Sequence, residues 1–126
     1  MDQGSRPRRD PRPEVVVDRR PWGWFERLTQ DEASTVKILT VEPGHRLSLQ
    51  RHACRDELWT IIDPGLVVDI AGERRQVVPG DRLWIPRGTP HRVGNVAKVP
   101  GRLLEVAFGR FDEDDIERLA DDYRRG

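Results

Sequence analysis

Apolar and polar side chains alternate through most of this chain, and the alternation breaks at glycine and proline. Residues 35–41 (TVKILTV) are β-branched and alternating, the period of two that marks a strand. Pro43-Gly44 ends that run. With residues 46–52 extended, Leu47 and Leu49 face one way and Gln50 and His52 the other. Residues 57–62 read as the next strand, closed by a turn at Pro64-Gly65. Residues 66–70 and 74–78 flank Ala-Gly-Glu at 71–73, a hairpin signal. Pro79-Gly80 turns into a strand at 82–85, and a turn over 86–90 leads to another that starts at His91. Residues 102–108 (RLLEVAF) give a last long strand. Many short strands parted by Gly and Pro predict an all-β sandwich or barrel. The period then changes. Ile116, Leu119, Ala120 and Tyr123 are spaced as on one helix face, with acidic residues ahead and Arg124-Arg125 behind, matching a helix dipole. The expectation is an all-β domain with a C-terminal α-helix over 112–125.

Composition narrows the setting. At 126 residues, with 36% hydrophobic and 35% charged, the chain has room for one domain with a modest core. Formal net charge is zero, so no global field draws it to nucleic acid or to a membrane, and neither is expected as a partner. No apolar run reaches bilayer-spanning length, and the N-terminus lacks a hydrophobic signal core. Cys54 is the single cysteine, so no internal disulfide forms; the expected location is the reducing cytoplasm. Apart from Lys37 and Lys98 every basic residue is an arginine, whose planar fork grips phosphate and carboxylate. Residues 1–18, with prolines and arginines crowded into 6–13, read as a disordered tail ahead of a single domain over 19–126. Trp22 and Trp24, in 20–28 (RPWGWFERL), are expected to be packing residues.

Two stretches carry chemistry. Residues 80–95 (GDRLWIPRGTPHRVGN) set Gly80, Pro86, Gly88, His91 and Asn95 at the spacing G-x5-P-x-G-x2-H-x3-N, which fits the second cupin motif. Residues 43–59 (PGHRLSLQRHACRDELW) resemble the first cupin motif: Gln50 and His52 take its two histidine positions and Glu57 its carboxylate, with Gly65 one residue late. Side chains two apart on a strand share a face, so Gln50 and His52 would point together. Glu57 would return from the next strand, and His91 from a strand beyond the 86–88 turn. Two imidazoles, a carboxylate and an amide oxygen suit one divalent cation, zinc first, with cobalt, manganese, iron or nickel as alternatives. The resemblance to cupins implies a jelly-roll β-barrel.

From about Arg19 onward the chain resembles the C-terminal domain of type II mannose-6-phosphate isomerases. The matching segments are RPWG at 20–23, VEPGHRLSLQRH at 41–52, R-x-E-x-W at 55–59, IPRGTPHRVGN at 85–95, LLEVAFG at 103–109 and DEDDIERLADDY at 112–123. Such domains usually follow a mannose-1-phosphate guanylyltransferase domain. No Gly-rich phosphate loop or nucleotidyltransferase signature stands in this chain, so the expectation is a stand-alone domain that does not itself make GDP-mannose. The resemblance implies interconversion of mannose 6-phosphate and fructose 6-phosphate at a metal held by Gln50, His52, Glu57 and His91. The metal would take the C1 and C2 oxygens, and Glu57 or Glu105 would move the proton between C2 and C1. Arg55, Arg92 and Lys98 are the candidates for gripping phosphate. A sugar phosphate is the expected small-molecule partner and a homodimer the expected assembly. The family pattern carries two further histidines where Ala53 and Cys54 stand; another register puts Cys54 among the ligands as a thiol. Two other functions fit the same motifs: a metal- and sugar-binding cupin without turnover, or another small cupin enzyme such as an iron dioxygenase or a nucleotide-sugar epimerase.

Overall fold

The computed structural model describes residues 13–123. Its elements are β1 (Val16–Arg20), β2 (Gly23–Arg27), β3 (Ser34–Val41), β4 (Leu49–Arg51), β5 (Arg55–Ile61), β6 (Leu66–Ile70), β7 (Glu73–Gln76), β8 (Arg82–Ile85), β9 (His91–Asn95), β10 (Gly101–Gly109) and β11 (Glu117–Ala120). Strands β1, β3, β5, β6, β7, β8 and β10 end at, or within three residues before, a glycine or proline. Among the described residues there is no helix. Of the expected tail over residues 1–18, residues 1–12 lie outside the described residues, and Val16, Val17 and Asp18 form the start of β1.

Two compact units divide between Glu32 and Ala33. In the first, β1 and β2 form an antiparallel hairpin. The guanidinium of Arg19 lies 5.4 Å from the Trp24 ring centre, and that of Arg20 lies 5.3 Å from Phe25. Trp22 is 73% and Trp24 53% exposed, so neither is the packing residue that the sequence suggested. A two-stranded ribbon has no second layer of its own in which to bury a tryptophan.

The second unit holds two antiparallel sheets, ordered β3-β10-β5-β8 and β11-β4-β9-β6-β7. From β3 onward the chain changes sheet at every step except the β6–β7 hairpin. Alternation decides which side chains meet between the sheets. Val41, Trp59, Ile61, Leu83, Ile85 and Leu103 come from the four-stranded sheet, and Leu66, Val68, Ile70 and Val93 from the five-stranded one. Each fully buried aliphatic side chain among them contributes about 1.5–3 kcal/mol. The same parity turns His91 inward beside Val93 and leaves Arg92 on the other face of β9.

The motif asparagine is structural. Asn95 Nδ2 donates to the carbonyls of Val41 and Val99 at 2.9 and 2.8 Å, and its Oδ1 accepts from Ala97 N–H at 2.8 Å. Gly65 packs against this loop at φ +96°, where a Cβ would stand 2.4 Å from Ala97 Cβ. Gly65→Ala therefore combines backbone strain with a clash. It is expected to lower stability by about 2–4 kcal/mol, read as an early midpoint in urea unfolding.

Beside that turn, Arg102 donates to Asp63 through its side chain (2.8 Å) and its backbone N–H (3.0 Å). The side-chain hydrogen bond from Arg102 holds the Asp63 carboxyl below its ordinary value. A carboxyl depressed on folding contributes stability above its unfolded pKa, near 4, and loses it as pH falls through the folded value. The thermal-stability gap between wild type and Asp63→Asn should therefore shrink as pH drops below about 4.

The chain's end corrects the sequence reading. Residues 112–123 contain no helix; 117–120 form β11, which pairs antiparallel with β4. A short isolated helix is marginal in water, whereas β4 has an unpaired edge to offer. The acidic side chains expected at a helix N-terminus bind cations instead, as Lys37–Glu113 (3.1 Å) and Arg51–Glu117 (2.9 Å). Residues 124–125 of that expected helix lie outside the described residues.

Candidate metal centre

Two strand registers build the site. On the inner face of the four-stranded sheet, Thr35, Ala107, Glu57 and Ile85 lie in one row, and Lys37, Glu105, Trp59 and Leu83 in the next. On the facing sheet Gln50 stands opposite His91. His52 follows β4 directly, and its carbonyl accepts from Gly88 N–H at 2.7 Å. That bond ties the first motif to the second.

His52, Glu57 and His91 meet at one point. One ligand atom from each lies within 4.8 Å of the others, and all three residues are buried. His52 Nε2 is 3.4 Å from Glu57 Oε2, and His91 Nε2 is 3.5 Å from Oε1. Both imidazoles are oriented by backbone carbonyls: His52 Nδ1 reaches Asp115 O at 2.7 Å and His91 Nδ1 reaches Thr89 O at 2.9 Å. A carbonyl only accepts, so each Nδ1 carries a proton, and Nε2 is the nitrogen that each ring turns toward the carboxylate. Burial, the largest cause, pushes the His91 pKa down, favouring this neutral form. Three electron-pair donors converge in a buried pocket, the arrangement that a divalent cation satisfies.

Arg55 is the cation already beside them. Its Nε donates to Glu57 Oε2 at 3.0 Å, and its Nη2 stands 3.3 Å from His52 Nε2. Nη1 donates to the Asp112 carbonyl at 3.1 Å, and the guanidinium lies 4.4 Å from the Phe111 ring centre.

A second carboxylate completes the cluster. Trp59 Nε1–H points between Glu57 Oε1 and Glu105 Oε1, 3.2 Å from each. Glu105 Oε2 is buried with no hydrogen-bond partner. Burial and, next, the nearby Glu57 charge raise the Glu105 pKa to about 7.

The remaining sequence candidates scatter. Gln50 lines the same cavity of about 100 Å³, along with Glu105 and Trp59. Arg92 donates Nε–H to the Leu47 carbonyl at 3.0 Å and lies on the far face of β9. Lys98 is exposed in the loop between β9 and β10. Cys54 is not one of the three converging groups; its Sγ contacts Arg110 at 3.9 Å. Three participants were missed. Lys37 lines the cavity. Glu113 binds Lys37, and the Asp115 carboxylate caps the N–H groups of Ala53 and Cys54 at 2.9 Å. Lys37 was legible in principle, since it shares strand parity with Leu39 and Val41. Val36 and Ile38, apolar but more than half exposed, hid which face was inner.

Comparisons with known proteins agree with this geometry. Residues 12–121 match the family model described as mannose-6-phosphate isomerase C-terminal. The chain is 36% identical over 107 residues to a mannose-1-phosphate guanylyltransferase of Escherichia coli K12, covering 84% of this chain and 22% of that protein. It is 37% identical over 107 residues to the alginate biosynthesis protein AlgA of Pseudomonas aeruginosa, again covering 84% of this chain and 22% of that one. The chain thus spans about a fifth of the length of these curated relatives. Among solved structures, TT1209 of Thermus thermophilus superposes with a TM-score of 0.59 at 22% identity, covering 88% of this chain and 97% of that one. A Klebsiella pneumoniae protein with a double-stranded β-helix domain gives 0.61 at 16% identity, covering 91% and 90%. These two likenesses show the fold alone. With a model match over most of its length, its two motifs meeting at one buried His-Glu-His group, the chain is a cupin and belongs to the mannose-6-phosphate isomerase C-terminal family.

Proposed function

We propose that this domain is a metal-dependent aldose–ketose isomerase acting on mannose 6-phosphate. The observation that carries the reading is geometric: a second buried carboxyl, Glu105, is held through Trp59 beside the buried His52-Glu57-His91 group. His52, Glu57 and His91 would hold the ion, with Gln50 the fourth candidate from the same cavity; two imidazoles and a carboxylate favour zinc. A bound divalent cation supplies Lewis acidity toward the negative charge that develops on the sugar's oxygens.

The chain's own groups do the rest. Glu105 is the base: as a carboxylate it takes the proton from C2 and returns it to C1, while the proton of the C2 hydroxyl passes to O1. A partner-free Oε2 leaves it one oxygen for that task, while Trp59 fixes the other. Glu57 is spanned by Arg55, Trp59 and the two histidines, which suits a ligand better than a proton carrier. Arg55 holds Glu57 in place and adds positive charge at the edge of the site. Strand β10, in the middle of its sheet, keeps Glu105 on a rigid element.

The test is a coupled assay for fructose 6-phosphate formed from mannose 6-phosphate by the zinc-loaded chain. Turnover supports the reading. Zinc bound without product removes it and leaves a binding cupin.

A further inference from the structure

Lys37 is the charged residue that β3 turns toward the metal cavity, in register with Glu105. Its ammonium donates to Glu113 Oε1 at 3.1 Å and lies 4.5 Å from the Phe111 ring centre, the ring that Arg55 also contacts. Glu113 belongs to the segment between β10 and β11, which runs along the cavity's wall and places Glu113 and Ile116 in its lining. The Glu113 side chain is 74% exposed and that of Lys37 31%. One end of this ion pair is therefore at the surface and the other inside the site.

We propose that Lys37 binds the anionic group of the substrate, and that Glu113 stands in for that group in the free protein. The proposal rests on the isomerase reading for the identity of the sugar phosphate. Three observations support it. Glu113 lines both the metal cavity, about 100 Å³, and an adjoining one of about 410 Å³, so it borders the space that a hexose phosphate needs. Glu113 is the lining carboxylate that is already mostly in solvent, and an exposed ion pair holds weakly. Arg55 is committed to Glu57 and the Asp112 carbonyl, whereas Lys37 has the single carboxylate contact to give up. A phosphate dianion replacing one carboxylate leaves Lys37 better paired than before.

The test is calorimetric titration of the metal-loaded full chain with mannose 6-phosphate, mannose and inorganic phosphate. Lys37→Met is expected to weaken mannose 6-phosphate binding by about 10- to 100-fold and to leave mannose binding unchanged. Lys37→Arg should keep most of the affinity. Glu113→Gln should tighten mannose 6-phosphate and phosphate binding by about two- to fivefold, because the competing charge is gone. That variant carries the test should Lys37→Met fail to fold. Wild-type affinity in Lys37→Met, weaker binding in Glu113→Gln, or no binding of either anion by wild type overturns the proposal. The two readings fail separately. Binding that depends on Lys37 without turnover removes the isomerase and keeps this site; turnover with an unchanged KM in Lys37→Met does the reverse.

Discussion

Glu105→Gln is expected to lower kcat for mannose 6-phosphate by about 100- to 10,000-fold, the range that a positioned general base contributes, with metal content unchanged. The substitution is close to isosteric. An amide oxygen can still accept from Trp59 Nε1–H, as Glu105 Oε1 does at 3.2 Å, so packing between the rows is kept. What is lost is the ability to take a proton. Because Glu105 is not one of the three converging donors, zinc should still bind at one per chain. A fall in kcat with zinc retained identifies the base. Equal loss of zinc and of kcat would make Glu105 a metal-site residue instead, and unchanged kcat would return the role of base to Glu57.

His91→Ala is expected to weaken zinc binding by more than about 100-fold, since removing even an outer partner of a ligand typically costs 10- to 100-fold. His91 is on a rigid strand, its Nδ1–H fixed by Thr89, and it packs edge-on against Trp59 with ring centres 5.5 Å apart. The alanine variant therefore also opens a buried cavity, and part of its effect is on stability. A linkage measurement separates the two. A ligand that binds only the folded state stabilises it by about 2.7 kcal/mol at 100 times its Kd. Zinc should thus raise the melting temperature of wild type and leave that of His91→Ala where it was. An equal rise in both would show that zinc binds elsewhere.

Much of this arrangement could be read from the chain before any fold was drawn. Period-two alternation found the strands from 35–41 to 102–108, and the fixed spacing of Gly80, Pro86, Gly88, His91 and Asn95 found the second half of the site. His52, Glu57 and His91 were placed together because a strand's parity is a local property. The failures were non-local. Acidic residues at 112–115 look like a helix start by themselves; only the folded chain brings Lys37 and Arg51 to Glu113 and Glu117 and offers the β4 edge to β11. Arg92 sits one residue from a metal-site histidine, yet strand parity sends it to the opposite face. Lys37 went unread because its strand is apolar on both faces, so alternation did not say which was inner. The tight link between Trp59 and the two glutamates is a register effect, fixed by the pairing of Glu105 with Trp59 across β5 and β10.

One ion at His52, Glu57 and His91 is what should switch on isomerisation. The most direct measurement is a zinc titration of the chelator-stripped full chain, with fructose 6-phosphate formation followed at each step. Turnover should rise in proportion to zinc and stop rising at one ion per chain. Full occupancy without product, or equal turnover in the stripped protein, would contradict it.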